Sequence, residues 1–186
     1  MASVATTTAR IPADTSPELR PRAPIARTLR DGLVAGQSAG LVMAAAMMAV
    51  STFALGQTPF LPVQTIGAYV RGSSAFDGMN PTAFATGLAM HQLGPSLAWG
   101  LAFGVLVAVI RPRRAMGLML LGLLVGLLAQ VVDVYVLLPR FALELGVPNY
   151  WGEHVHPAVS WLLHGVFGLS LSIFPWKFDP MARRYA

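Results

Sequence analysis

The sequence of 186 residues contains no cysteine, which excludes disulfides, thiolate metal sites and cysteine nucleophiles. Charge is also scarce, because only 11% of the residues are Asp, Glu, Lys or Arg, whereas about 25% is usual in a soluble domain. The hydrophobic share is 55% and the mean hydropathy is +0.60. These values indicate a membrane protein.

Common catalytic motifs are missing as well. The sequence has no HExxH zinc-protease motif, no phosphate-binding Walker loop and no paired-carboxylate motif, so no hydrolase chemistry is indicated. The pI near 10.4 does not indicate nucleic acid as a partner, because the basic residues lie in short clusters between long apolar runs. That arrangement is typical of proteins embedded in a lipid bilayer.

Four apolar runs are long enough to cross a bilayer, which needs about 20 mainly apolar residues. They cover residues 32–55, 84–110, 116–138 and 155–174. The sequence therefore predicts an all-α integral membrane four-helix bundle over residues 32–175. We expect residues 1–31, rich in Arg and Pro, to form a disordered cytoplasmic tail, and residues 176–186 to form a cytoplasmic C-terminal end.

The basic residues predict the orientation of the bundle. Five Arg lie in residues 1–31, three in 111–114, and one Lys with two Arg in 177–184, against Arg71 and Arg140 on the other side. Because basic residues concentrate on the cytoplasmic side, both termini should be cytoplasmic and loops 56–83 and 139–154 should be outside. We expect a multi-pass location in a bacterial cytoplasmic (inner) membrane.

The first outer loop contains an apolar stretch, residues 60–70, that is too short to span a bilayer. It predicts a short interfacial or re-entrant helix that lies over the outer face of the bundle.

Small residues recur at four-residue spacing in every predicted span, a pattern that lets membrane helices approach closely. The stripes are Gly32, Gly36, Gly40 and Ala44; Ser96, Gly100, Gly104 and Ala108; Gly122 and Gly126; Gly168 and Ser172. One interpretation is that they form helix contacts within one chain. The other is that one stripe, that of the first span, faces another subunit.

Four polar residues, His91, Asp133, His156 and His164, are predicted to form one interior layer in the outer half of the membrane. Their positions from the predicted helix ends give similar depths at 1.5 Å per residue. Three interpretations stay open. The layer is a structural His–Asp clasp, a site for a transition metal or haem, or a proton-transfer relay.

Methionines give a further, weaker signal. Met43, Met47 and Met48 lie together in the first span and suggest copper handling, although Met is also common packing material in a helix bundle.

The chain resembles the YagU-like group of small bacterial inner-membrane proteins over residues 32–175. The resemblance rests on Met90-His91 followed by small residues as far as Gly104, on Tyr135–Pro139, and on His164 with Gly168. It implies a four-span topology, and it brings no known activity, ligand or catalytic residue. The Arg/Pro tail and the stretch from Glu153 to His156 are not part of that pattern.

From these features we expect a non-enzymatic membrane protein that acts as an accessory or structural subunit, with other membrane subunits or a second copy as partners. The alternative is a small transporter or a proton- or metal-conducting protein. Because four spans leave little room for alternating access, that alternative requires a dimer.

Overall fold

The computed structural model describes residues 25–112 and 114–178, and every regular element within them is helical, which confirms the all-α prediction. The main helices, in chain order, are α1 (Ile25–Phe53), α2 (Leu61–Arg71), α3 (Pro81–Ile110), α4 (Ala115–Leu145), α5 (Tyr150–His154) and α6 (Pro157–Phe178). A single 3₁₀ turn, Ser73–Phe76, follows α2.

Helices α1, α3 and α4 are each long and apolar enough to cross a membrane, and α6 contains a shorter apolar part, Pro157–Ile173. Large apolar side chains point outward from these helices; Val109 is 72% exposed and Leu124 is 62% exposed. Extended exposure of this kind is rare on soluble proteins and indicates association with a membrane.

Some predicted boundaries are wrong. Helix α1 begins at Ile25, so residues 25–31 are helical and not part of a disordered tail, because an Arg-bearing turn can continue the helix outside the apolar run. Residues 176–178 continue α6. The rest of the predicted tail, 1–24, and the end, 179–186, lie outside the described residues. Helix α3 begins at Pro81, where the Asn80 side chain accepts the Ala83 N–H and caps the first turn.

Two of the long helices contain a π-helical segment: Gln92–Ser96 in α3 and Gln130–Leu137 in α4. Both segments are associated with a proline. Pro95 lies within the first and Pro139 follows the second, and neither can donate a backbone hydrogen bond to the carbonyl four residues earlier. The wider π turn carries the helix past this missing bond, and such turns occur often at functional sites.

Glycines determine how the long helices pair. A Cβ on Gly36 of α1 would collide with the carbonyl oxygen of Ser96 and lie 2.6 Å from Cα of Gly100 on α3. A Cβ on Gly126 of α4 would collide with the carbonyl oxygen of His164 on α6. Backbones can approach this closely only where side chains are absent.

The stripes are therefore helix contacts within one chain. The alternative, in which the stripe of α1 faces another subunit, is wrong because α3 covers that surface. Both pairs, α1 with α3 and α4 with α6, are antiparallel, and α1 also packs along α6.

The predicted short helix in the first outer loop is present as α2. It packs on the first half of α3, where Gly67 faces the carbonyl of Ala83 and Gly87 faces that of Val63. The buried Gln64 side chain donates to the carbonyls of Ala75, at 2.7 Å, and of Gly78, at 3.0 Å. Together, α2 and α5 form what we call the cap, which lies against one end of the bundle.

Candidate functional site

A cavity of about 120 Å³ lies between α1, α3, α4 and α6, next to the cap. The cap contributes Ile66 and Trp151 to its wall. The side chains with polar or sulfur atoms that line it are Met43, Met47, Met90, His91, Ser96, Trp99, Asp133 and His164. Apart from these side chains and Trp151, the wall is apolar.

Three of the four predicted site residues, His91, Asp133 and His164, line this cavity. His156 does not. It is exposed, and its Nδ1 accepts the backbone N–H of Ala158 at 3.2 Å, next to the start of α6. Its predicted place in the layer is wrong because α6 begins at Pro157, so the helical rotation that would carry His156 inward does not extend to it. It lines a second, smaller cavity together with His154.

Both cavity histidines are held by backbone carbonyls. The Nε2–H of His91 donates to Gly40 at 3.2 Å, and the Nδ1–H of His164 donates to Ser160 at 2.9 Å. A carbonyl oxygen can only accept, so each bond places a ring proton on that nitrogen. In the neutral rings, Nδ1 of His91 and Nε2 of His164 then carry the free lone pairs.

Asp133 is held by Trp99. The indole Nε1–H lies 3.0 Å from Oδ1 and 2.9 Å from Oδ2, so one donor serves both carboxylate oxygens. The predicted His–Asp clasp is therefore wrong, because the histidines donate to carbonyls and the carboxylate accepts from an indole. Sequence reasoning missed Trp99 because it lies within a run of small residues. Its place two turns after His91 in the same helix was the available signal.

A chain of buried hydrogen bonds borders the site. The indole Nε1–H of Trp151 donates to Ser160 Oγ at 3.2 Å, and Ser160 in turn donates to Gln130 Oε1 at 2.7 Å. Among the described residues, three buried side-chain atoms have no hydrogen-bond partner: Gln92 Oε1, Ser96 Oγ and Gln130 Nε2. A buried polar atom left unpaired costs about 1–3 kcal/mol and calls for a water or a ligand. Ser96 is among the residues that line the cavity, and its Oγ and Gln92 Oε1 both lie against Gly40 of α1.

The geometry gives little support to haem or to a site built on carboxylate and imidazole. Drug-sized ligands occupy pockets of about 300–1,000 Å³. This cavity is far smaller than that range, and a tetrapyrrole does not fit. Within residues 25–112 and 114–178, no group of three or more His, Cys, Asp or Glu is placed to hold a metal ion.

Helix α1 contains a sequence match to a catalytic motif. Residues 36–40, Gly-Gln-Ser-Ala-Gly, match the GxSxG pattern of serine hydrolases. That pattern works at a sharp strand-to-helix turn, whereas here it lies inside the continuous helix α1. It is therefore part of the glycine stripe and not a nucleophile elbow.

No family model matches the chain, and neither a curated protein nor a solved structure shows significant similarity to it. The resemblance to YagU-like proteins stays a prediction.

Proposed function

We propose that this chain is a four-span protein of a bacterial cytoplasmic membrane that holds a small ligand or ion in the cavity, as an accessory subunit of a membrane assembly. The observation that carries the proposal is the cavity itself. It brings two imidazoles, one carboxylate and the unpaired Ser96 hydroxyl together inside an apolar bundle. Ionisable residues within membrane helices are costly, and by default they indicate a functional site.

Helix α6 is the fourth span in this proposal. It has 22 residues, packs along both α1 and α4, and runs antiparallel to α4. The antiparallel order brings the start of α1, the α3–α4 turn and the end of α6 to the same end of the bundle. Of the eight basic residues in 25–178, six belong to these three segments and two, Arg71 and Arg140, do not, which supports cytoplasmic termini and an outer position for the cap and the cavity.

Holding a ligand is better supported than conducting one. Away from the cap, Gly32 packs against Gly104, and Gly122 packs against Gly168, backbone to backbone. These contacts close the space between the paired helices in the cytoplasmic half. No specific contact favours the alternative of a dimeric transporter.

The arrangement also argues against an enzyme. A nucleophile needs a base within hydrogen-bond reach, and the base needs a third group to orient it. Here each cavity histidine donates to a backbone carbonyl, and Asp133 accepts from Trp99, so none of these three activates another.

Labelling of introduced cysteines tests whether the cavity accepts small solutes, because the natural chain has no cysteine. In Ser96→Cys the thiol would line the cavity. In the control, Ser172→Cys, the thiol would be equally buried in α6, where the Ser172 hydroxyl donates to the carbonyl of Leu169. A small cationic methanethiosulfonate added to intact membranes should label Ser96→Cys, and should label Ser172→Cys only after denaturation. If both thiols react only after denaturation, the cavity does not receive solutes and the proposal fails.

A further inference from the structure

The cavity contains sulfur as well as nitrogen. Met43 and Met47 lie one turn apart on α1, and both line the cavity, with exposed fractions of 3% and 1%. Met90 adds a third thioether from α3. The neighbouring Met48 packs against the apolar core and does not line the cavity.

Each cavity histidine has the hydrogen bond expected of a metal ligand. A metal-bound imidazole almost always donates its other ring N–H to a carbonyl or carboxylate, which fixes the tautomer and the ring orientation. His91 and His164 both do this, to Gly40 and Ser160. They come from different helices, α3 and α6, and both residues line the cavity.

The combination of thioether and imidazole ligands indicates which metal ion the cavity would prefer. Thioethers are soft ligands that favour Cu(I), and imidazoles also suit copper. Harder ions such as Zn²⁺ would need the carboxylate beside the two imidazoles, but among the described residues His91, Asp133 and His164 do not form a group that could hold a metal ion. The described residues offer no other group of three hard or borderline ligands in its place.

We infer that the cavity is a Cu(I) site, with the thioethers of Met43 and Met47, Nδ1 of His91 and Nε2 of His164 as its ligands. This inference rests on the proposed function and specifies its ligand. The ligands are neutral, so the bound ion keeps its positive charge inside the bundle. The indole of Trp99 and the carboxylate that it holds also line the cavity, and both can stabilise that charge.

The test is an anaerobic titration of the purified full-length protein in detergent with Cu(I), ascorbate as reductant and bicinchoninate as competitor. One Cu(I) should bind per chain. Met43→Leu and Met47→Leu should weaken binding by roughly tenfold or more, as expected for changes at a metal site. Met48→Leu is the matched control and should bind as the natural chain does. Leu and Met have similar volumes, so all three variants should fold.

X-ray absorption of the copper-loaded protein gives an independent measurement. The copper should have both sulfur and nitrogen neighbours, and the sulfur signal should fall in Met43→Leu and Met47→Leu.

Two results would overturn the copper site: no Cu(I) held against bicinchoninate, or equal affinity in Met47→Leu and Met48→Leu. The two proposals fail separately. If Ser96→Cys is labelled in intact membranes but Cu(I) does not bind, the ligand cavity stands and the copper site falls.

Discussion

At the residue scale, the side chain of Asp133 depends on a single neighbour. Its two oxygens share the indole proton of Trp99, which comes from another helix. A carboxylate at the centre of a membrane helix costs roughly 2.5–3.5 kcal/mol. A hydrogen bond to a charged group contributes about 1.5–3 kcal/mol of stability. The bond from Trp99 therefore offsets most of the cost of placing this carboxylate in the helix.

Replacing Trp99 tests that dependence. Trp99→Phe keeps an aromatic ring but removes the donor, and should lower the free energy of unfolding by about 1.5–3 kcal/mol. Asp133→Asn should be mild or even stabilising, because it removes the buried charge and keeps an acceptor. Thermal unfolding in detergent measures both, and the double variant should lose less than the sum of the single changes. A Trp99→Phe protein that melts like the natural chain would show that the bond contributes nothing.

Sequence reasoning located much of this site at the residue scale, but not its contacts. Depth and helical spacing predicted that His91, Asp133 and His164 share one layer, and the three line one cavity. Spacing cannot reveal a donor on another helix, so Trp99 was missed. It also assumes that the helix continues, which placed His156 inside although α6 begins one residue later.

At the element scale, one buried hydroxyl joins the two helices of the cap. The hydroxyl of Tyr69 on α2 donates to Oδ1 of Asn149 at 2.6 Å and accepts the backbone N–H of Trp151 at 3.2 Å. Trp151 in turn lines the cavity. The position of this wall therefore depends on the tyrosine.

Tyr69→Phe should lower the free energy of unfolding by about 1–3 kcal/mol, because it removes two hydrogen bonds and leaves the buried Trp151 N–H without this partner. Tyr150→Phe is the control. Its ring lies 5.7 Å from that of Tyr69, but its hydroxyl bonds to no other described residue, so the change should be within about 0.5 kcal/mol. Thermal unfolding of the two variants side by side gives the comparison, and equal melting temperatures would contradict the assigned bonds.

Because the Tyr69 hydroxyl can ionise, the stability of the folded protein should depend on pH in the alkaline range. Burial raises the pKa of Tyr69 above its usual value; the Trp151 N–H opposes this and the Glu153 charge adds to it. The folded protein therefore keeps the phenol protonated to higher pH than the unfolded chain. The stabilising contribution is complete below the unfolded pKa of about 10 and is lost as the pH rises through the folded pKa. Melting curves across that range should fall more steeply for the natural chain than for Tyr69→Phe; parallel curves would rule this out.

Glycine contacts between α1 and α3 give the next prediction. Gly36→Ala places a Cβ against the backbone of Ser96 and Gly100 and should cost about 1–3 kcal/mol through overpacking. Gly165→Ala is the matched control in α6. Its Cβ would meet only a Leu123 methyl at 4.0 Å, and the gain in helix propensity should stabilise the protein by about 0.5–1 kcal/mol. Melting temperatures should move in opposite directions, and a shared direction would contradict the assigned packing.

The stripes were readable in the sequence because four-residue spacing identifies one face of a helix. Spacing does not identify the partner of that face, and so a contact with another subunit stayed open until the structure placed α3 there. The π segment in α4 was not predicted at all. Pro139 is visible in the sequence. The eight-residue π-helical segment before it depends on packing against other helices, which the sequence of one helix does not reveal.

At the scale of the whole molecule, the two ends of the bundle differ both in charge and in structure. The cap and the cavity lie at one end of the bundle, and Arg111, Arg114 and the start of α1 lie at the other. A membrane protein distributed in this way should insert with its basic end in the cytoplasm. The cavity would then take its ligand from the outer side.

Cysteines placed at the two ends test this orientation in a chain that has no other cysteine. Ser73 lies in the 3₁₀ turn after α2, and Ala115 begins α4; both are exposed, so their reactivity should depend only on the side of the membrane. In intact cells with a permeable outer barrier, an impermeant thiol reagent should label Ser73→Cys and leave Ala115→Cys unlabelled. After lysis both should react to the same extent, which shows that neither thiol is hidden. The opposite pattern would invert the topology, and the cavity would then receive its ligand from the cytoplasm.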